Sequence, residues 1–207
     1  DIPVELVKYG GEEMLQRLVD LLNLCLTQQK TPKEWKVGII SSLFKKGNRK
    51  DPNCYRGICV TSSLSRLWGR LIQRRLRQDL GIFIGDDQSG FTPGRSCVEN
   101  NLWTLQQVMN KKIAKDQELH LTFIDLKKAY DNVPRTKLVG SLKSICTNSY
   151  LVRIISDLYR DIIAYIIQGR ELSEPIYPTK GLRQGCSLSP LLFNIYVERA
   201  VEQWKRK

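Results

Sequence analysis

The spacing of apolar residues changes period several times along this chain, which confines it to a fold mixing helices with strands. Leu15, Leu18, Val19, Leu22 and Leu26 recur at helical spacing between Gly11 and the turn at Thr31-Pro32, predicting an amphipathic helix of about five turns. From Val37 to Phe44 the residues turn β-like, and Lys45 to Asn53 follow with the Gly, Asn, Asp and Pro of a basic loop. Leu64, Leu67, Trp68, Leu71, Ile72 and Leu76 form the stripe of a second helix, with Thr61 to Ser63 available to cap it. Arg66, Arg70, Arg74 and Arg77 align along one side of that helix, either to follow a phosphate backbone or as an ordinary solvated face.

Ser96 opens a third helix with an S-x-x-E capping box, continuing through Leu102, Leu105, Met109 and Ile113. The period then falls to two. Between Leu119 and Leu126, Leu121, Phe123 and Asp125 share one face while His120, Thr122 and Ile124 share the other, predicting a buried strand that ends at Asp125. Pro134 suits the first turn of a helix carrying Leu138, Leu142 and Ile145, and another helix carries Leu151, Ile154, Ile155 and Leu158. Strands are expected around Ile162 to Gln168 and Pro175 to Thr179, then a helix from about Ser187 that tolerates Pro190 in its first turn. The predicted class is α+β.

With 207 residues, 42% hydrophobic and 26% charged, one domain is the default, and no apolar run reaches the roughly 18 positions of a membrane span. The expectation is a soluble protein without a membrane role. Thirty-three Lys and Arg against 21 Asp and Glu give a net charge of +12, the footprint of a chain that holds a polyanion or of a well-solvated basic surface. The six cysteines lack C-x-x-C spacing and His120 is the single histidine, which argues against zinc and for reduced core thiols in an intracellular compartment.

A carboxylate ending an apolar strand must find a cation, a hydrogen-bond partner or water, so Asp125 is a metal ligand, a salt-bridge partner of a nearby lysine or a helix cap. Around it, F-I-D-L-K-K-A-Y-D (Phe123–Asp131) resembles the first catalytic motif of reverse transcriptases, particularly those of non-LTR retrotransposons and group II introns. The resemblance implies that Asp125 and the Leu126 carbonyl hold metal, and that the Tyr130 ring lies beneath the sugar and excludes a 2′-hydroxyl; otherwise Tyr130 is a plain core tyrosine. About sixty residues on, G-L-R-Q-G-C-S-L-S-P-L-L-F (Gly181–Phe193) is similar to the family's next motif and implies that Gln184 and Gly185 line the nucleotide pocket. Upstream, Pro32 to Ile58 resembles the fingers motif, putting Lys45 and Arg56 on the incoming triphosphate, although Gly57 stands where the family usually has proline. Asp87 to Ser96 looks like the segment that seats the template, the match being carried by Gln88, Gly90, Phe91, Gly94 and Arg95; Arg66 and Arg70, on the basic face of the second helix, are further candidates for template binding. The opening I-P-V-E-L-V-K-Y-G-G-E resembles the family's amino-terminal extension.

The implied architecture is a right-hand polymerase: mainly fingers over 1–95, palm over 96–134, fingers over 135–178, palm over 179–207, and no thumb. The implied reaction is RNA-templated DNA synthesis on a DNA primer from deoxynucleoside triphosphates, with two Mg²⁺ ions and nuclear priming at nicked chromosomal DNA. No aromatic-x-Asp-Asp hairpin occurs before Lys207; Asp131 has no spacing that guarantees a shared face with Asp125, Asp86 and Asp87 are expected in a turn, and Asp157 and Asp161 on a helix. The expectation is therefore a segment of a longer polypeptide, or a truncated descendant, inactive by itself and missing its remaining palm and thumb. The rival is a non-catalytic RNA-binding or interaction protein that keeps the basic surface; a viral RNA polymerase is disfavoured by Tyr130. An Asp125 turned to solvent, or remote from the glutamine turn that ought to face it, would overturn the polymerase reading.

Overall fold

Val37–Phe44 forms β1, and the turn chemistry after it returns the chain antiparallel as β2, Tyr55–Val60, with Leu43 opposite Arg56 and Phe44 opposite Tyr55. The structure is a computed structural model that describes residues 2–81, 84–86 and 88–205; Asp1, Asp87 and Lys207, named above, lie outside the described residues. Asp51 shapes the hairpin loop, its carboxylate accepting the Asn53 N–H at 2.9 Å. The edge of Tyr55 meets Phe44 at 5.4 Å between ring centres. Later in the chain β3, Ile163–Gln168, pairs parallel to β1, and the two-residue β4, Glu171–Leu172, closes the sheet order β2-β1-β3-β4.

The helices are α1 Val4–Tyr9, α2 Gly11–Gln28, α3 Ser63–Leu80, α4 Trp103–Ile113, α5 Arg135–Ile145, α6 Ser149–Leu158 and α7 Ser189–Lys205. The α3 stripe is buried at Trp68, Ile72 and Leu76 and half-buried at Leu64 and Leu71, but Leu67 is exposed. Ser62 caps it by accepting the Ser65 N–H at 3.1 Å, and Trp68, Ile72 and Leu76 are completely buried, each such side chain contributing about 1.5–3 kcal/mol. They meet Leu138 and Leu142 of α5, Ile154 and Ile155 of α6, and Leu191, Leu192 and Ile195 of α7 in one core. The fold is mixed α and β, and no described helix is long and apolar enough to cross a membrane.

A polar belt joins the sheet to this core. Lys36, just before β1, pairs with Asp157 of α6 at 3.0 Å, and the same carboxylate oxygen accepts the Thr31 N–H at 2.7 Å. Both groups are largely buried, and opening such a pair from one side costs about 3–5 kcal/mol. Trp68 Nε1 donates to Thr31 Oγ1, and Ser65 Oγ donates to the Trp35 carbonyl.

Several expectations are corrected. The predicted strand from Leu119 to Leu126 does not form: residues 117–126 are irregular, and Phe123 and Ile124 are 82% and 84% exposed. Alternation makes a strand possible, but only a neighbouring strand can take its N–H and C=O groups, and none of the sheet's strands runs beside it. Asp125 is consequently exposed. Pro175 to Thr179 also fails as a strand, because prolines at 175 and 178 lack the N–H a ladder needs; only Ile176 bridges to Ala164. Ser96 does cap the third helix, accepting the Glu99 N–H at 3.3 Å, but the first turn is a wide π turn from Cys97 to Leu102. That pitch brings Asn100, rather than Glu99, back to the Ser96 N–H at 2.8 Å. The stripe of this helix is not buried, Trp103 and Ile113 being 60% and 73% exposed. Pro134 sits immediately before α5, and Asp161 follows α6 in a turn at φ 54°. All six cysteines are free; Cys25 and Cys186 are buried, whereas Cys97 is exposed and is no core thiol.

Asp79 near the end of α3 fastens the start of α6, accepting the Thr147 and Asn148 N–H groups at 3.1 and 3.3 Å and the Thr147 hydroxyl at 2.6 Å. Desolvation works against its charge, but the bonds from Thr147, Asn148 and Cys146 outweigh it and hold the carboxyl below its ordinary 3.8. Burial, then the Asp79 carboxylate, push the Cys146 thiol up to about 12. Because the folded Asp79 is the stronger acid, its contribution is present above pH 3.8 and disappears as pH falls through the lower folded value. Asp79→Ala should cost about 1 kcal/mol at neutral pH, and the gap between variant and parent melting curves should narrow as the pH is taken below 3.8.

Candidate active site

The segment from Gly181 to Ser187 has no regular structure, so its backbone groups must be satisfied by distant parts of the chain. The Gly181 N–H donates to the Val133 carbonyl and the Leu182 N–H to the Tyr130 carbonyl, both at 2.9 Å. Cys59 at the β2 edge donates its N–H to the Gln184 carbonyl at 2.8 Å, and Gln73 of α3 donates to the Ser187 carbonyl at 2.8 Å. Gly181 and Gly185 have φ of 89° and 114°. A Cβ on Gly181 would lie 2.8 Å from the Asp131 carbonyl oxygen, and one on Gly185 would lie 2.6 Å from the Cys59 carbonyl oxygen. Glycine is required at both for conformation and for space.

Two arginines finish the cradle without any carboxylate. Arg135 donates to the carbonyls of Gly181 at 3.1 Å and Pro178 at 2.6 Å, and its guanidinium lies over the Tyr159 ring. Burial lowers its pKa, which Tyr159 opposes and Arg183 reinforces. Arg183, 7% exposed, donates to the Trp35 carbonyl at 2.9 Å and the Leu158 carbonyl at 3.4 Å. The sequence pattern singled out neither; only the Gly-Leu and Pro boundaries beside them hint at a turn.

The turn forms one wall of an open depression of about 760 Å³. Arg66 and Arg70 line it from α3, Phe91 from the loop before the π turn, Tyr130 from beneath, then Gln184, Gly185 and the first residues of α7. Six residues assigned to two functions thus share one concavity. The Tyr130 ring stacks on Phe193 at 4.8 Å and 15°, so it is a fixed wall, and burial raises its phenol pKa and keeps it protonated. Tyr130 Oη, Arg183 Nε and Ser187 Oγ are buried with no partner, and all three residues line this depression. Burial likewise raises the Cys59 thiol, against the opposing pull of Arg183.

The remaining assigned residues lie elsewhere. Lys45 and Arg56 are exposed at the hairpin, and since Leu43 faces Arg56 across the ladder and Lys45 is two residues beyond Leu43, the two cations share a sheet face. Gln88 Nε2 donates to the Gly90 carbonyl and to Asn194 Oδ1 of α7, and Asn194 Nδ2 donates to Gly90 in turn. Arg95 is occupied with Asp86 at 2.8 Å and with the carbonyls of Gly85, Gln88 and Ile84, so it knits its own loop. Phe91, at φ 56° and 64% exposed, is the part of this loop that faces outward.

Asp125 and the Leu126 carbonyl are on the exposed, unpaired segment. The segment's far end is anchored: Lys128 Nζ donates to Asn53 Oδ1 at 3.1 Å, and Gln184 Nε2 donates to Asp131 Oδ1 at 2.7 Å. The glutamine turn therefore grips the Asp125 motif through Asp131, six residues on. Asp125 itself is exposed, so the geometric condition set for the polymerase reading is not met at this residue, and among the described residues no cluster of three His, Cys, Asp or Glu could hold a metal. One carboxylate and one carbonyl are hard oxygen donors of the type magnesium takes, but they do not complete a two-ion site.

Residues 44–207 match the family described as reverse transcriptase (RNA-dependent DNA polymerase). The chain is 31% identical over 180 residues to a Drosophila melanogaster protein named probable RNA-directed DNA polymerase from transposon BS, covering 85% of this chain and 20% of that protein. It is 27% identical over 162 residues to an uncharacterized 149 kDa protein of transposon TX1 from Xenopus laevis, covering 77% of this chain and 12% of that one. It is also 24% identical over 183 residues, 88% of this chain and 18% of the relative, to a Pol polyprotein of retrotransposable element R2 from Nasonia vitripennis. The chain thus spans between 12% and 20% of the length of these relatives.

Gly185→Ala should cost about 2–3 kcal/mol in a thermal or urea melt, since both its φ and its Cβ are strained against β2. Gly140→Ala, on α5 with nothing within 4 Å of the added carbon, should instead stabilise by about 0.5–1 kcal/mol. Equal effects at the two positions would disprove the close approach.

Proposed function

This chain belongs to the reverse transcriptase (RNA-dependent DNA polymerase) family, and from that premise we propose that it supplies the fingers and part of the palm of a non-LTR retrotransposon polymerase that copies RNA into DNA. The observation that carries the reading is the shared depression: the arginine face of α3, the Phe91 loop, Tyr130 and the Gln184–Gly185 turn surround one space. Those residue types suit a template strand on one side and a nucleotide on the other. The two arginines meet phosphates, Phe91 offers a flat face to a base, and Gly185 lets backbone come close to a sugar. Tyr130, fixed by Phe193, is the wall that rejects a 2′-hydroxyl. Lys45 and Arg56 hold the triphosphate from the hairpin, and Gln88, Gly90 and Arg95 shape the loop that presents Phe91 to the template.

In this reading the fingers are 1–95 and 135–178, a division supported by the four strands all falling within those ranges. The palm is 96–134 and 179–207. Exposed apolar residues at Trp103, Ile113, Phe123 and Ile124 support palm surfaces that further polypeptide covers, and pairing there would turn 119–126 into the strand its alternation describes. Asp125 and the Leu126 carbonyl would then hold part of a two-magnesium site, the remaining carboxylates coming from outside these 207 residues. Bound there, the metals supply Lewis acidity at the primer hydroxyl and the leaving pyrophosphate. The DNA primer, RNA template and deoxynucleoside triphosphates are the substrates this implies.

In a polymerase that contains this chain, Asp125→Asn should reduce RNA-templated primer extension by about a thousandfold or more, while template-primer affinity by fluorescence anisotropy moves less than about twofold. Extension that survives the change removes Asp125 from the site. Residues 1–207 alone should show no magnesium-dependent extension, and robust synthesis by them would refute the incomplete active site.

A further inference from the structure

A second open groove, of about 920 Å³, is lined by the end of α2 and by α5 and α6. Its charged residues are Lys30, Arg135, Lys143, Arg153 and Arg160 against one carboxylate, Asp157. That carboxylate is already neutralised by Lys36 at 3.0 Å and by the Thr31 N–H. Arg135 is spent on backbone carbonyls, and Arg153 leans on the uncharged Gln29 and Ser149. Lys30, Lys143 and Arg160 are exposed and have no acidic partner among the described residues. The groove therefore carries positive charge that the fold does not compensate, in a concavity that concentrates its field.

The lining narrows the choice of anion. Its aromatic residue, Tyr159, is 6% exposed and bonds through its hydroxyl to Ser189, so no ring is available on which a base could stack. Side-chain amides and hydroxyls from α2 and α6 surround the cations instead, which are partners for phosphate oxygens and for ribose hydroxyls. Ser189 lines the Gln184 depression, so the Tyr159–Ser189 bond crosses the wall between the two concavities. We propose that this groove is a second nucleic-acid surface, holding the phosphate-ribose backbone of a single-stranded RNA without reading its bases. The proposal rests on membership of an RNA-dependent family, but not on the chemistry assigned to Asp125 or Gln184.

The test is fluorescence anisotropy of the 207-residue protein with labelled single-stranded RNA of about 20 nucleotides across a salt series. Lys143→Glu with Arg160→Glu should weaken binding by about tenfold or more and flatten the salt slope by about 1.4, two phosphate contacts at about 0.7 each. Lys143→Gln with Arg160→Gln should give a smaller loss in the same direction with an unchanged melting curve, which separates lost charge from lost fold. Arg66→Glu with Arg70→Glu, in the other depression, should weaken binding independently. Loss of binding in that variant but not in the α5–α6 variants would overturn the second surface and leave the family reading standing. Equal affinity of the parent protein for single-stranded DNA of the same length, or displacement of the RNA by inorganic pyrophosphate at matched ionic strength, would also overturn it.

Discussion

The backbone hydrogen bonds of the Gly181–Ser187 segment are the constraint on which the site depends. An irregular segment cannot satisfy its own N–H and C=O groups, and this one takes partners from β2, α3 and the Tyr130–Val133 stretch. Each partner belongs to a part of the chain far away in sequence, so the segment has its shape only when those parts are already assembled. Gly181 and Gly185 let it press against Asp131 and Cys59, and no side chain would fit between. The depression lined by Arg66, Tyr130 and Gln184 is thus a product of tertiary structure.

The chain's net charge of +12 divides between two uses. Arg135 and Arg183 turn inward and hold carbonyl dipoles. Arg95 does the same for its own loop, and Lys36 is consumed by Asp157. Arg66, Arg70 and Arg74 of α3, and Lys30, Lys143 and Arg160 around α5 and α6, are left exposed, whereas Arg77 is drawn to the Phe91 carbonyl. Composition alone cannot make this division, because an arginine that clamps a turn and one that waits for phosphate count equally toward net charge.

Much of the fold was legible because its causes are local. The bounds of β1, the Ser62 cap and the stripe of α3, and the Ser96 cap follow from residues within a few positions of one another. Motif order implied that the Gln184 turn would face Asp125; the turn does reach this motif, but its hydrogen bond is to Asp131, six residues on, while Asp125 is exposed. What spacing could not reveal depends on partners. The alternation from Leu119 to Leu126 describes a strand, but alternation contains no information about whether a neighbour exists. Arg183 reads as a surface charge until the carbonyls of Trp35 and Leu158 are known to converge on it.

The motif that begins at Phe123 is built to two standards of order. From Lys128 to Val133 it is tied down by Asn53, Gln184 and the backbone of Gly181 and Leu182. From Phe123 to Leu126 it lies exposed and unpaired. On the proposed reading the nucleotide-facing ring is therefore positioned by this chain alone, whereas the metal-binding aspartate is positioned only when a neighbouring strand arrives. Substrate selection and chemistry then have separate structural origins: selection depends on the turn and the Tyr130–Phe193 stack, and chemistry on the pairing of a segment only a few residues away. On that reading the pocket's geometry is independent of Asp125, since among the described residues the bonds that hold the turn run through Asp131, Tyr130 and Val133 instead.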